Sequence, residues 1–155
     1  MKSYKIEVRA VDKITHDVYK ITTTKPAGYS YIPGQATELA INKTQWSDEK
    51  RPFTFTSLPA DSHLEFIIKS YPLRNGVTHE ISKLVPGDEL IIYDSWGAIT
   101  YKGPGLFIAG GAGITPFISI FRQLSNENLP GGNRLIFANK KKEDIILEDE
   151  LKSYL

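Results

Sequence analysis

Two short motifs about sixty residues apart contain the side chains best suited to bind a ligand: RPFTFTS at residues 51–57 and GGAGITP at residues 110–116. In the first motif, the two-pronged guanidinium of Arg51 can pair with a phosphate, and Phe53 offers an aromatic face to a planar ring. Thr54 can donate a hydrogen bond to a ring nitrogen. Because alternating Phe and Thr are also typical of an ordinary edge strand, the motif alone leaves both interpretations open.

The second motif lies between an apolar run and a segment with helical periodicity. Its glycines allow a tight turn and a close approach of the backbone to a ligand, and the following helix offers free N–H groups to phosphate or amide oxygens. Pro116 stands where the G-x-G-x-x-G dinucleotide fingerprint has its third glycine, so the motif is not that fingerprint. Such a turn also occurs where a helix merely packs closely on a strand, and this alternative stays open.

The composition excludes several classes of function. With 19 basic and 18 acidic residues, the net charge of +1 gives no overall field that would attract nucleic acid. The absence of cysteine excludes disulfides and thiolate-bound iron–sulfur or zinc sites, and His16 and His63 show no metal-ligand spacing, so no metal site is predicted. No run approaches the roughly 18 apolar residues of a membrane span, and the N-terminus lacks a signal peptide's apolar region. We predict a cytoplasmic monomer without a membrane span.

The first hundred residues are predicted to form six strands. β-branched and aromatic residues with partial alternation indicate strands at residues 4–11, 18–25, 36–41, 53–57, 64–71 and 88–94. Turn dipeptides such as Pro33-Gly34 and Asn75-Gly76 separate these segments. The pattern predicts an antiparallel Greek-key β-barrel. Apolar spacing within residues 76–88 predicts one short helix that interrupts the strands.

The pattern changes after residue 103. An apolar strand at residues 105–111, a helix at 114–129 and a second strand at 133–140 form a βαβ unit with a parallel sheet, and a further helix is predicted at 143–154. We therefore assign residues 1–103 to the barrel domain and residues 104–155 to an α/β domain. Two strands and two helices leave most of a parallel sheet uncovered, so we expect the α/β domain to be incomplete.

The two motifs in this order, with Pro33-Gly34-Gln35 upstream, resemble the ferredoxin-NADP reductase superfamily, which includes flavodoxin reductases and cytochrome b5 reductase-like enzymes. The resemblance covers essentially the whole chain. It implies a six-stranded barrel that binds FAD rather than FMN, followed by an α/β domain that binds NADH or NADPH. The family's later strand with a Cys-Gly-Pro-like motif is absent.

The resemblance also implies the flavin-binding residues. The family's R-x-[YF]-[ST] motif is matched by Arg51 on the flavin phosphate, by Pro52, by Phe53 on the isoalloxazine and by Thr54 near its N5 atom. Two further flavin-binding segments are matched by Ile68, Lys69, Ser70, Gly76, Val77 and Thr78. The first three imply backbone or ribityl contacts, and the last three a helix start beneath the pyrophosphate. Phe53 replaces a commoner tyrosine and Thr54 a commoner serine.

The family's nicotinamide motif, G-x-G-[IL]-[TS]-P, is matched by Gly111, Gly113, Ile114, Thr115 and Pro116. The resemblance implies that Thr115 lies near the nicotinamide, which makes Thr54 and Thr115 the two catalytic positions. Lys140, Lys141 and Lys142 can bind a 2′-phosphate or can be an ordinary solvated turn, so the choice between NADPH and NADH stays open.

The function implied is an NAD(P)H-dependent flavoprotein reductase that passes a hydride to FAD and then electrons to a separate acceptor, a small redox protein such as flavodoxin or ferredoxin. One alternative is a flavin-binding electron-transfer module that does not oxidise NAD(P)H efficiently. Another is a cofactor-free barrel used for protein contacts, which the three matched flavin segments disfavour. An absorbance spectrum separates this last alternative from the other two.

Overall fold

The computed structural model describes residues 1–128 and 131–155. The first part of the chain forms six antiparallel strands and one short helix. These elements are β1 (Ser3–Lys13), β2 (Val18–Thr24), β3 (Ala36–Ile41), β4 (Arg51–Thr54), β5 (His63–Lys69), α1 (Val77–Ile81) and β6 (Glu89–Tyr93). The strand order is β4-β3-β6-β1-β2-β5, and a bridge between Phe55 and Phe66 joins the two ends of the sheet. The predicted barrel architecture is confirmed.

Strand β1 is long enough to serve both halves of the barrel. Its residues Ser3 to Glu7 pair with β6, whereas Val8 to Lys13 pair with β2, and the register shifts between Val8 and Ala10. A bulge of this kind bends a strand and increases its twist, which helps a sheet to close. Alternate residues such as Ile6, Ile21 and Phe66 point inward and form the buried barrel core.

The second part of the chain contains a small parallel sheet and two helices. Strands β7 (Leu106–Gly110) and β8 (Arg134–Ala138) pair in parallel, with α2 (Thr115–Asn126) between them and α3 (Glu148–Tyr154) after them. The predicted βαβ unit is confirmed. Leu129, the last residue of the predicted central helix, lies outside the described residues.

Two helices are shorter than predicted. The helix predicted within residues 76–88, with Pro86-Gly87 after its end, ends already at Ile81, and Val85 is exposed where a helical face would bury it. Pro86 disfavours helical geometry at Val85, the residue before it. The Asp88 carboxylate instead accepts a hydrogen bond from the Val85 amide and fixes a turn.

The helix predicted at residues 143–154 is interrupted. A 3-10 turn at Lys142–Asp144 is followed by an extended Ile145, and α3 begins only at Glu148, after Leu147 in a left-handed conformation with φ of 52°. Ile146 lies in the core of the second region. Burial of this side chain therefore overrides the local helical tendency of the segment.

The fourth strand is also displaced: it covers residues 51–54, where 53–57 was predicted.

Candidate functional site

The RPFTFTS motif begins on the edge strand β4, which pairs with β3 from Arg51 to Thr54. The Arg51 guanidinium is about half exposed and donates to the Lys50 carbonyl at 2.7 Å, and its Nη2 lies 3.3 Å from Glu49 Oε2. Both partners are on the neighbouring turn at the surface. The guanidinium is therefore accessible to an anion at little desolvation cost.

A cleft of about 220 Å³ brings the two sequence motifs together. Its lining comes from four segments of the chain: Pro52, Phe53, Ile67, Ile68, Lys69, Tyr71, Thr78, Ala112 and Thr115. Phe53 is partly buried and packs against the barrel core, which anchors its ring. Phe53 and Thr115, more than sixty residues apart in sequence, thus face one space. Thr54, the neighbouring predicted site residue, is half-buried but does not line this cleft.

The end of β5 forms one wall of this cleft. Ile68 is buried in the barrel core, so only part of the residue faces the cleft. Lys69 is one-third exposed, with its Nζ 3.6 Å from Asp17 Oδ2. Ser70 is buried, and its amide donates to the Asp17 carbonyl at 2.7 Å. The chain is therefore held firmly where it leaves the strand, with a cation at the cleft edge.

The start of α1 forms a second wall. Gly76 is the N-terminal cap in an extended conformation, and its carbonyl accepts from the amides of His79 and Glu80. The amides of Val77 and Thr78 lie in the first turn, where no intrahelical acceptor exists. The Val77 side chain is buried in the barrel core, and Thr78 lines the cleft. This geometry leaves first-turn N–H groups close to the cleft.

The GGAGITP motif passes from β7 through a 3-10 turn at Gly111–Ile114 into α2. A Cβ atom added at Gly110, Gly111 or Gly113 would meet no atom within 4 Å. Close packing of helix on strand is therefore not what requires glycine here. Gly111 has a φ of 51°, a left-handed conformation that side chains rarely adopt. The open space in front of these glycines is room for a ligand.

Two residues fix the end of this turn. Ile114 is fully buried in the second core, and Pro116 lies in the first turn of α2, where its missing N–H costs nothing. The Thr115 hydroxyl donates to the Ala112 carbonyl at 3.1 Å. Because that bond uses only the hydroxyl proton, the oxygen lone pairs of Thr115 stay available in the cleft.

A larger cleft of about 480 Å³ adjoins the first one. It lies at the carboxyl ends of the parallel strands and includes Gly111, Ala112, Asn139 and Lys140, together with Asp17 from the barrel. Lys69, Tyr71 and Ala112 line both clefts, so the two spaces are contiguous. Ligands of open α/β sheets bind at this edge of the sheet.

Asn139 gives this larger cleft an unsatisfied polar atom. Its Oδ1 is buried and has no hydrogen-bond partner among the residues that the structure describes. A buried carbonyl oxygen without a donor is costly. Within the Lys140 to Lys142 run, only Lys140 lines the cleft, whereas Lys141 lies 3.8 Å from Glu143 at the surface.

Tyr71, Asp17 and Asn139 were missed by the sequence analysis. Tyr71 is 38% exposed, and two cations lie near its ring, with Lys69 Nζ 5.5 Å and Arg74 Cζ 4.9 Å from the ring centroid. Its place directly after FIIKS, at the end of a strand and before a proline, was the available signal. Asp17 and Asn139 carry no sequence signal, because the fold alone brings them to the clefts.

Within residues 1–128 and 131–155, no helix is long and apolar enough to cross a membrane. The same residues contain no group of three or more His, Cys, Asp or Glu side chains arranged to hold a metal ion.

Comparison with known proteins follows this division of the chain. Residues 3–104 match the family model described as FAD-binding domain, and residues 107–155 match the one described as oxidoreductase NAD-binding domain. The reductase component of propane 2-monooxygenase from Rhodococcus jostii (strain RHA1) is 28% identical over 97% of this chain and 42% of its own length.

Two further proteins extend the comparison. NADH–cytochrome b5 reductase 1 from Arabidopsis thaliana is 31% identical over 97% of this chain and 56% of its own length. The chain thus spans roughly half or less of the length of such relatives. The ferredoxin-NADP+ reductase from Plasmodium falciparum superposes with a TM-score of 0.86 at 18% identity, over 98% of this chain and 65% of that one. This likeness establishes the fold.

Proposed function

We propose, from the premise that this chain belongs to the ferredoxin-NADP reductase superfamily, that it acts as an NAD(P)H-dependent flavoprotein reductase. The observation that carries the proposal is the 220 Å³ cleft lined by both Phe53 and Thr115. A flavin on the first residue and a nicotinamide against the second would face each other across a short distance.

The residues of the barrel fit FAD. Phe53 provides a ring anchored by the barrel core, and Arg51 is a surface guanidinium free to exchange its present partners for a phosphate. The first-turn amides of Val77 and Thr78, after Gly76, suit the pyrophosphate. We assign Pro52, Ile68, Lys69 and Ser70 to the walls and Thr54 to the ring edge near N5.

The residues of the second region fit a pyridine nucleotide. The open space at Gly111 and Gly113 admits a ligand against the backbone, and the buried Ile114 with Pro116 holds Thr115 at the cleft. We assign the remainder of the nucleotide to the contiguous 480 Å³ cleft, which Asn139 and Lys140 line.

A bound FAD, held by Phe53, Arg51 and the start of α1, would supply the capacity to take up a hydride from a reduced nicotinamide at Thr115 and to pass two electrons to an acceptor. The chain's own residues need only bind, orient and exclude water, since no side chain must take or give a proton in the hydride step. The cleft accordingly needs no acid–base dyad.

We further propose that residues 1–103 are the FAD-binding domain, that residues 104–155 belong to the NAD(P)H-binding domain, and that the acceptor is a separate redox protein. The names of the relatives support a separate acceptor: one is the reductase component of a monooxygenase, and the other a cytochrome b5 reductase. A small acceptor such as a ferredoxin or flavodoxin meets this requirement.

The experiment is an anaerobic titration of the FAD-reconstituted protein with NADH and NADPH in turn. We expect the yellow oxidised spectrum to bleach with at least one nucleotide. A colourless protein that cannot be reconstituted with FAD or FMN would overturn the flavin assignment. Binding of FAD without bleaching by either nucleotide would instead leave an electron-transfer module that does not oxidise NAD(P)H.

A further inference from the structure

Helix α2 carries three polar residues on one face. Thr115, Ser119 and Arg122 are spaced by four and three residues, which places them along one side of a helix. Thr115 lines the 220 Å³ cleft, whereas Ser119 is fully buried and the Arg122 side chain is only 18% exposed. Polar groups buried in this way require partners, and both residues find them on the barrel.

Ser119 contacts the Pro33-Gly34-Gln35 turn that precedes β3. The Gly34 amide donates to Ser119 Oγ at 3.2 Å, and both groups are buried. Gly34 has a φ of 103°, and a Cβ atom there would lie 2.3 Å from the Ile99 carbonyl oxygen. Only glycine therefore allows the backbone at residue 34 to lie this close to the Ile99 carbonyl. This turn is also joined to the RPFTFTS motif, because the Gln35 carbonyl accepts a hydrogen bond from the Phe55 amide at 3.1 Å.

Arg122 contacts the far end of the flavin motif directly. Its Nη1 donates to the Thr56 carbonyl at 2.9 Å and to Glu65 Oε1 at 2.6 Å. The Thr56 hydroxyl donates to the same carboxylate oxygen at 2.7 Å. One guanidinium therefore contacts both the segment that follows β4, through the Thr56 carbonyl, and strand β5, through the Glu65 carboxylate.

A second carboxylate holds Arg122 from the other side. Its Nη2 lies 2.9 Å and 3.2 Å from the two oxygens of Glu150 in α3. Burial alone would lower the pKa of the Arg122 guanidinium, but the carboxylates of Glu65 and Glu150 outweigh it and raise the pKa, so the side chain stays charged. A buried ion pair adds little net stability, and its geometric demands favour a role in specifying an arrangement.

We propose that Ser119 and Arg122 are positioning residues that fix the register of α2 on the barrel and thereby hold Thr115 against the flavin site. At about 1.5 Å of rise per residue, they anchor the helix roughly 6 Å and 10 Å beyond Thr115. Two anchors on one face prevent the helix from sliding or rotating. The consequence for hydride transfer rests on the proposed function, whereas the consequence for helix position does not.

The test compares Arg122→Lys and Ser119→Ala in the FAD-loaded protein. Lysine keeps the charge but loses the planar fork that reaches three acceptors. We expect the limiting rate of flavin reduction at saturating nucleotide to fall on the order of 10-fold to 100-fold for Arg122→Lys. Flavin content and the nucleotide dissociation constant should change less than twofold. Arg134→Lys, an exposed arginine in β8, is the matched control.

A second readout reports the helix position without any catalysis. Because the chain has no cysteine, spin labels can be attached at Lys5→Cys on the barrel and Asn126→Cys at the end of α2. The distance distribution between them should be narrow in the parent and in Arg134→Lys, and broader in Arg122→Lys. The milder Ser119→Ala should also broaden this distance distribution. It therefore provides a second test if the Arg122 variant folds poorly.

Each outcome decides one of the two claims. An unchanged distribution in both variants, whatever their thermal stability, overturns the positioning role. A broadened distribution with an unchanged reduction rate shows that the helix position does not govern hydride transfer, and overturns the functional half of the inference. If neither nucleotide reduces the parent, the proposed function falls, and the distance measurement still decides whether these residues position α2.

Discussion

The two halves of this chain differ in how completely they bury their own sheets. The barrel closes through the Phe55–Phe66 bridge and surrounds a core supplied by its own strands and α1. The parallel sheet has two strands in the part of the chain that the structure describes. It leaves Leu106, Ile108 and Ile136 exposed by 57%, 67% and 55% of their surface.

The second half also depends on the first for part of its core. Val18 and Ile67, on the outer face of the barrel, belong to the hydrophobic cluster formed by α2 and its neighbours. Along β5, Phe66 faces the barrel core and the next residue, Ile67, faces the second region. The flavin half is thus structurally self-contained, whereas the position of the nicotinamide half is set by its contacts with the barrel.

Phe66→Ala should destabilise both halves of the molecule more than any other substitution proposed here. Removing a fully buried aromatic side chain from a core costs about 3 to 5 kcal/mol, and Phe66 is fully buried. Because the second region packs on the barrel, we expect both halves to lose stability together. Urea unfolding followed by the fluorescence of Trp46 and Trp96 reports the barrel, and far-ultraviolet circular dichroism reports both halves.

Ile136→Ala is the control for this prediction, because it shortens an exposed side chain on β8. Its free energy of unfolding should change by less than about 0.5 kcal/mol. If Phe66→Ala unfolded the barrel, as tryptophan fluorescence reports, and left the circular dichroism of the second region intact, the second region would not depend on the barrel in the way described.

Arg51→Ala should weaken the binding of FAD to the first half of the chain without destabilising its fold. A charge-assisted contact with a phosphate is worth about 1.5 to 3 kcal/mol, equivalent to a loss of FAD affinity of roughly 10-fold to 150-fold. Fluorescence titration of the apoprotein with FAD measures this loss. Folding should be preserved, since the present partners of Arg51 are on the exposed turn.

The matched control for Arg51 is Arg9→Ala, which removes an exposed arginine paired with Glu7 elsewhere on the barrel. We expect its FAD affinity to equal that of the parent. Equal losses in both variants would mean that general positive charge, and not the position of Arg51, attracts the flavin.

Thr115→Ala should affect the nicotinamide half with a smaller effect. We expect the rate of flavin reduction to fall roughly tenfold, or about 1.4 kcal/mol, with FAD content unchanged. Thr115→Ser keeps the hydroxyl that now donates to Ala112 and should retain most of the rate. Stopped-flow absorbance measures the rate. Loss of FAD in Thr115→Ala, with normal reduction of the remainder, would assign this residue to structure.

The same difference between the halves explains what could be predicted from the sequence. Strands of the barrel alternate between core and surface, so their residues reveal their own structure, as at Ile6 and Val8 in β1. The fourth strand was predicted from the Phe-Thr alternation at residues 53–57, whereas it begins at Arg51 and includes Pro52. Because β4 is an edge strand, the missing N–H of a proline there need not remove a hydrogen bond between strands.

The contacts between the two halves show no pattern in the sequence from which they could have been predicted. Arg122 and Glu65 are 57 residues apart and read as ordinary surface charges, yet the fold buries them together. Pro33-Gly34-Gln35 was noted as part of the resemblance, but its contact with Ser119 requires the packing of α2. The sequence motifs contain residues that line one cleft, whereas the packing that brings those residues together emerges from tertiary structure.

The smallest expected effect concerns a second contact between the halves, at the loop that joins β1 and β2. His16 Nε2 lies 2.6 Å from Asp144 Oδ1. This hydrogen bond lowers the pKa of the Asp144 carboxyl, burial opposes that lowering, and a hydrogen bond from the Lys141 amide adds to it. Because the pKa of Asp144 is lower in the folded chain than in the unfolded chain, the contact stabilises the fold fully at pH values above the pKa of an unfolded aspartate, about 3.9. This stabilisation is lost as the pH falls through the pKa of Asp144 in the folded chain.

Asp144→Asn should therefore lower Tm slightly at neutral pH, and the difference from the parent should vanish in strong acid, where the parent carboxyl is also protonated. Thermal unfolding across that pH range measures the change. Asp149→Asn, on the exposed side of α3, should show no comparable difference. A Tm deficit that persisted in acid would mean that Asp144 stabilises the chain through its uncharged hydrogen bonds. Its charge would then play no part in joining the second region to the barrel.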